Sequence, residues 1–383
     1  MRARMVTVAG IAVCLLACTD APVVPVPKSA APAVPSFSSV QAACPATPNV
    51  VVTTEGELLD ALATAEPGAV IGIDGLIVVT ADVYVTTPNV TLTCVTPGSG
   101  LAAEPGGAVL TVLTAMANAV TVDRLFLDAT NATDPFIADG VSDVRFTTNT
   151  VVCGPFLIGG GCALFNATPN AVISGNEFRS TGSFSGLHLQ GGIDGTRIEY
   201  NTIVTTTAGA DVPIFGGLRV RDGANVVIAG NTVQGPWANS AALVDLSAST
   251  IEQNDFEGAV MYGILAPAGT SFRPVAMTDN VIRTNRIVGA GSAGIALDSA
   301  CRNQLFGNRL EGNAGDVGLV FDEQTGANAF AGNRNLVVDN GGALDCDGDG
   351  SGDPNVLTGV GLARRGEPGA RPTDESRAWG RLH

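Results

Sequence analysis

Between Val144 and Leu336 one pattern of apolar and polar positions keeps returning: an aliphatic or aromatic residue, two small or polar residues, Asn, any residue, then an apolar one. The copies read FTTNTV ending at Val151, ISGNEF at Phe178, IEYNTI at Ile203, IAGNTV at Val233, IEQNDF at Phe256, IRTNRI at Ile287 and LFGNRL at Leu310. A worn copy, FAGNRNL, holds Asn333, and an earlier one, VTVDRL, carries Asp123 where the others have Asn. From Asn149 to Asn333 the spacings are 27, 25, 30, 23, 31, 23 and 25 residues. Such a spacing is a repeat with loops of variable length.

In each copy an apolar residue stands three before the Asn and another two after it, which predicts two short strands with one buried face and the Asn at the bend between them. Asn tolerates the left-handed backbone region, and its amide both donates and accepts. Stacked at the ~4.8 Å strand spacing, Asn149, Asn176, Asn201, Asn231, Asn254, Asn285, Asn308 and Asn333 would form a continuous ladder. One coil cannot bury enough apolar surface to offset the ordering of its own backbone, so the coils must stack and be capped. The predicted fold is all-β, a parallel β-solenoid of roughly ten coils.

These units resemble the right-handed parallel β-helix proteins of the pectin-lyase-like superfamily, over roughly Thr47 to Asn355, with the first coils (Ile71–Val112) matching loosely. The segment Thr54 to Ala65 predicts the one clear helix. Thr54 and Glu57 have capping-box spacing, and Leu58, Leu59, Leu62 and Ala65 form an apolar stripe, stopped by Pro67-Gly68. The resemblance implies that this helix plugs the N-terminal end of the solenoid.

Outside the repeats the pattern changes. Residues 1–17 carry Arg2 and Arg4 before a short apolar run and read as a secretory signal. Cys18 directly after Leu-x-Ala resembles the bacterial lipobox, in which that Cys becomes the lipidated first residue. The alternative is an ordinary cleaved signal with an incidental Cys. Residues 18–45 then form a tether rich in Pro and Ala. The solenoid is expected over 46–356. Residues 357–383 have no apolar period and read as a disordered charged tail.

Composition bears on location and partners. With Cys14 removed and Cys18 lipidated, Cys44, Cys94, Cys153, Cys162, Cys301 and Cys346 remain, an even number suited to an oxidising compartment. Six cysteines allow fifteen pairings; proximity favours Cys153–Cys162, leaving Cys44–Cys94 and Cys301–Cys346. The expected location is extracytoplasmic: outer membrane, periplasm or cell surface, as a monomer held through its lipid. The chain has 20 Lys and Arg against 36 Asp and Glu. Removing Arg2 and Arg4 leaves 18 against 36, a charge of −18 that repels nucleic acid.

Candidate chemistry lies on a second set of strands upstream of each Asn: GLHLQ, GLRVR, LVDLS, GILAP, GIALD and GLVFD, beginning at Gly186, Gly217, Leu243, Gly263, Gly294 and Gly318. Aligning their inward apolar residues puts His188, Arg219, Asp245, Leu265, Ala296 and Val320 in one outward column. Gln190, Arg221, Ser247, Pro267, Asp298 and Asp322 fall in the next. His188, Arg219, Arg221 and Asp245 form an acid–base or sugar-binding constellation, with Gln190, Asp298 and Asp322 as further substrate contacts. Trp237 and Tyr262 are the candidate stacking platforms. Equally, outward strand positions are commonly polar, and Arg and Asp there pair between coils.

The resembling galacturonan hydrolases carry Asn-Thr-Asp, Asp-Asp, Gly-His-Gly and Arg-Ile-Lys signatures, and none occurs here. Asp345, Asp347, Asp349 and Asp353, with Gly350, match the start of a calcium loop, although Val356 stands where such loops carry a bidentate acid. Any Ca²⁺ there would be structural. Three functions fit: a lipid-anchored protein that binds and cleaves a polysaccharide (lyase or hydrolase), a non-catalytic structural or adhesive module, and metal-centre assembly. The last suits a chain with one internal His poorly.

Overall fold

Each turn of the chain lays down three short strands, and successive turns stack them into three parallel sheets. The computed structural model describes residues 43–363, apart from residue 46 and the stretches 154–160, 181–184, 207–215, 268–276, 315–316, 332–335, 340–343 and 359–360. Signal, Cys18, most of the tether, residues 364–383 of the tail, and Asn333 lie outside the described residues. Sheet I starts with Val50–Val52, sheet II with Leu76–Val79 and sheet III with Val83–Val85. Sheet II holds ten described strands, so the body is an all-β parallel solenoid of about ten turns.

The apolar periodicity fills the interior. The residues three before each Asn (Phe146, Ile173, Ile198, Ile228, Ile251, Ile282, Leu305) line sheet I from inside, and those two after (Val151, Phe178, Ile203, Val233, Phe256, Ile287, Leu310) line sheet II. Equivalent residues of adjacent coils pair, as Phe146 with Ile173 and Val151 with Phe178. Like side chains therefore stack on like, and Phe136, Phe146, Phe165 and Phe178 form an aromatic run within the core.

The Asn ladder occupies the corner between sheets I and II from Asn149 to Asn308. Each backbone N–H and side-chain amide donates to Oδ1 of the next Asn; for Asn149 to Asn176 the distances are 2.9 and 3.0 Å. The same contacts recur to Asn308. The Nδ2 of Asn176 also donates to the Phe146 carbonyl at 2.7 Å, so every rung closes the turn below it. Two expectations need correction. The left-handed residue is the one before each Asn: Thr148, Gly175, Tyr200, Gly230, Gln253, Thr284 and Gly307 all have positive φ. And Asp123 does not stand in for the Asn of its coil; Leu125 occupies that place, its N–H donating to Asn149 Oδ1 at 2.9 Å.

A second ladder lies outside the repeated phrase. At the corner from sheet III to sheet I, Ser249 donates through its backbone N–H to Asn280 Oδ1. Asn280, Asn303 and Asn328 each pass two hydrogen bonds to the next Asn, ending at Asn355. Here too a left-handed residue comes first: Ala248, Asp279, Arg302 and Ala327.

Helix α1 (Glu55–Thr64) follows the first strand. Thr54 Oγ1 accepts from the Glu57 N–H, while the Glu57 carboxylate reaches back to Thr53 N at 2.8 Å, one residue earlier than the simplest capping box. Leu58 and Leu62 are buried in the solenoid core, but Leu59 is exposed and not part of the buried stripe. Glu55 accepts from Thr80 N at 2.7 Å, tying the helix to the sheet II–III corner. Disulfides join Cys44 to Cys94, Cys153 to Cys162 and Cys301 to Cys346, with Cα separations of 5.4, 5.2 and 5.7 Å. Such bonds suit an extracytoplasmic, oxidising compartment. No helix of the described residues is long and apolar enough to cross a membrane.

Candidate functional site

His188 lies between Leu187 and Leu189, and Arg219 between Leu218 and Val220; all four neighbours are core residues, so His188 and Arg219 face outward from sheet III. They are direct register partners, one strand step apart. Gln190 and Arg221 follow their paired neighbours Leu189 and Val220 and extend the polar area by a second column. The four residues that align in the sequence thus lie together on the backbone.

Asp245 does not join them. Backbone pairing sets Arg219 opposite Ala242 and Arg221 opposite Val244, so Ala242 and Val244 hold the places expected for Asp245 and Ser247. The small Ala241 and Leu243 are the true inward pair, and Ala241 carries too little apolar signal to show it in the sequence. Asp245 stands further along, between the paired positions Val244 and Leu246, and level with Asp222. Both aspartates have positive φ, 60° for Asp222 and 52° for Asp245, forming a stacked kink near the end of the sheet III strands. Arg221 Nε pairs with Asp222 Oδ2 at 3.0 Å.

Trp237 is also misplaced as a platform. It is fully buried in the solenoid core, its indole N–H donating to the Gln234 carbonyl at 3.1 Å. Tyr262 is half-buried and packs on a small outer cluster of Leu265, Ala293, Ala296 and Val320. The C-terminal half of this outer face is thus apolar where the middle is polar. Asp298 lies next to Leu297 on the same strand, half-buried; Asp322 falls on the following strand, Val317–Gly326.

The electrostatics single out His188. It is 1% exposed, and burial, reinforced by the positive charges of Arg219 and Arg221, pushes its imidazole down to about 3. At neutral pH the ring is neutral and can donate through one nitrogen and accept through the other. Burial, with Arg221 adding repulsion, lowers Arg219 to about 10, so it keeps its charge. A carboxyl that belongs to no motif of the sequence is Asp134, at the start of strand Asp134–Asp139. Burial alone raises it to about 6, and its Oδ1 is shut off from solvent with no hydrogen-bond partner among the described residues. Asp134-Pro135-Phe136 reads as a turn in the sequence, and only the coil register shows it buried. Its strand is two steps from that of His188, roughly 10 Å at the strand spacing.

Near the C-terminus, carboxylate oxygens of Asp345, Asp347 and Asp353 come within 4.8 Å of one another. Asp349 is not in that group; it accepts from Ser351 N at 2.7 Å. Asp345 takes the N–H groups of Gly350 and Gly348, which hold it below the ordinary carboxylate range.

Comparison with known proteins agrees with the solenoid fold. Residues 164–341 match the family model described as the right handed beta helix region. The chain has the right-handed parallel β-helix fold. No curated protein sequence matches this β-helix. Among solved structures it is similar to the Dettilon tailspike protein, at 12% identity and TM-score 0.51, covering 74% of this chain and 58% of that one. The chain therefore spans little more than half the tailspike's length. It is also similar to the mannuronan C-5 epimerase A-module of Azotobacter vinelandii (13% identity, TM-score 0.50, 80% of this chain, 93% of that one). The DFA-IIIase of Arthrobacter chlorophenolicus aligns at 12% identity and TM-score 0.50, over 82% of this chain and 87% of that one.

Proposed function

We propose that this β-helix binds a polysaccharide on the outer face of sheet III, outside the cytoplasm. The observation that carries the reading is the group His188, Arg219, Gln190 and Arg221. A neutral buried imidazole, an amide and two guanidinium groups are set one strand step apart, on a rigid wall, in a chain of net charge −16. Of this set the half-buried Gln190, Arg219 and Arg221 offer fixed donors and an acceptor to hydroxyl or carboxylate groups, while His188, 1% exposed, presents no surface to a ligand. The mannuronan C-5 epimerase A-module, similar in fold, is named for a polysaccharide and lends support. The arrangement favours binding over cleavage, because Asp245 stands away from His188 and Arg219, leaving the expected acid–base trio unassembled.

A glycan array on the mature body, followed by reducing-end and unsaturated-product assays on each hit, tests the reading. Arg219→Ala should abolish binding and shift the thermal midpoint little. Binding with no turnover makes the protein an adhesive module; no binding to any glycan removes the reading.

Helix α1, with Leu58 and Leu62 in the core, closes the N-terminal end of the solenoid in this reading. Cys18 carries the lipid that holds the protein to its membrane, and mass spectrometry of the mature N-terminus reads this directly. Asp345, Asp347 and Asp353 hold a structural Ca²⁺ beside the Cys301–Cys346 bond. Added Ca²⁺ should raise the thermal midpoint of the wild type and not that of Asp347→Ala.

A further inference from the structure

The outward column that contains His188 does not begin there. Tyr84 pairs with Thr114, Thr114 with Ile137, Ile137 with Leu164, Leu164 with His188 and His188 with Arg219. Core residues flank each apolar member on its own strand: Val83 and Val85 beside Tyr84, Phe136 and Ala138 beside Ile137, Ala163 and Phe165 beside Leu164. The column therefore stays on one outer face for five strand steps, roughly 24 Å.

Its far end has the aromatic that the middle lacks. Tyr84 is 47% exposed, and its hydroxyl donates to Asp82 Oδ2 at 3.2 Å. Asp82 is itself fixed by accepting from Leu110 N and Thr111 N at 2.8 and 3.0 Å. The ring is thus held at its hydroxyl end and open to solvent over nearly half its surface. Between Tyr84 and His188 the half-buried Ile137 and Leu164 give an aliphatic floor. Asn166, paired with Gln190, flanks that floor with amides.

We propose that Tyr84 is a distal stacking subsite of the same face, so that a glycan runs along the solenoid axis from Arg219 to Tyr84 over Leu164 and Ile137. The C–H faces of sugar rings lie on aromatic and aliphatic side chains, while amides and guanidinium groups take the hydroxyls. This rests on the glycan-binding reading above and adds a length requirement. A short oligomer reaches the Gln190–Arg219 end alone; only a longer one also reaches Tyr84.

Calorimetric titration of the full chain with mannuronan oligomers, disaccharide to octasaccharide, and with cello-oligomers of the same lengths, tests it. Affinity should climb with length for the series that binds. Tyr84→Ala should weaken the octasaccharide about tenfold and leave the disaccharide unchanged, Tyr84→Phe should restore the octasaccharide, and Arg219→Ala should abolish binding of both. If Tyr84→Ala binds the octasaccharide like the wild type while Arg219→Ala does not, the distal subsite is wrong and the binding face stands. If the wild type binds neither series, the subsite falls, and the array result then decides the face separately. Thermal midpoints measured on each variant separate loss of contact from loss of fold.

Discussion

His188 and Asp134 pull the stability of this protein in opposite directions as pH changes. His188 is pushed down to about 3 from an ordinary 6.5. Between those values the unfolded chain takes up a proton that the folded one refuses, so stability falls as pH drops from about 6.5 toward about 3. Asp134 is raised from 3.8 to about 6, so the folded chain keeps a proton that the unfolded one loses, and stability falls as pH rises from about 4 to about 6. Each slope approaches ~1.4 kcal/mol per pH unit where one state is protonated and the other is not. The two nearly cancel between about pH 4 and 6. Urea denaturation across this range should therefore show a steeper loss with acid in Asp134→Asn than in the wild type, and a reversed slope in His188→Gln. An unchanged profile in both variants would contradict the burial of these groups. Asn254 makes a separate residue-level case. It accepts from both Asn231 N and Asn231 Nδ2 at 2.9 Å and donates to Ile228 O and Asn285 Oδ1. Asn254→Ala leaves buried donors unmet and should cost roughly 2–4 kcal/mol in urea denaturation.

At the scale of elements, α1 separates a buried from an exposed leucine with adjacent numbers. Leu58→Ala should destabilise by about 2–5 kcal/mol and Leu59→Ala by less than about 0.5 kcal/mol, read from thermal or urea midpoints. Equal effects would contradict the packing of this helix. The same contrast shows how far a sequence can be read. Phe178, Ile203 and their equivalents recur at a fixed distance from an Asn, so the ladder at the sheet I–sheet II corner was legible from Asn149 to Asn308, though not that the left-handed residue precedes each Asn or that Leu125 takes the place expected for Asp123. The second ladder was not, because its Asn residues follow aspartate, arginine, alanine and proline in turn and start only at Asn280. Sheet III was half legible. His188 and Arg219 sit between large aliphatic neighbours that fix their face. Asp245 was misplaced because its coil turns on Ala241 and on a left-handed aspartate, features that hydrophobic patterning does not register. Trp237 read as a loop platform because nothing local shows a ring folded back over Gly217.

For the whole molecule, stacking gives function its geometry. A solenoid repeats its outward positions at strand spacing, so a polar group on one coil and an aromatic four coils away can address one extended chain without either moving. The sheet III face is polar in the middle, aliphatic and aromatic toward the N-terminal end, and apolar and self-packed toward the C-terminal end. That gradient favours a linear ligand lying along the axis. Amide hydrogen exchange of the full chain, with and without a glycan taken from the array, maps that contact directly. Slowed exchange confined to peptides covering 83–85, 111–115, 134–139, 161–166, 185–190 and 216–224 is the result this account predicts. Protection on the sheet I and II strands around 197–205 instead, with those sheet III peptides unchanged, would contradict it.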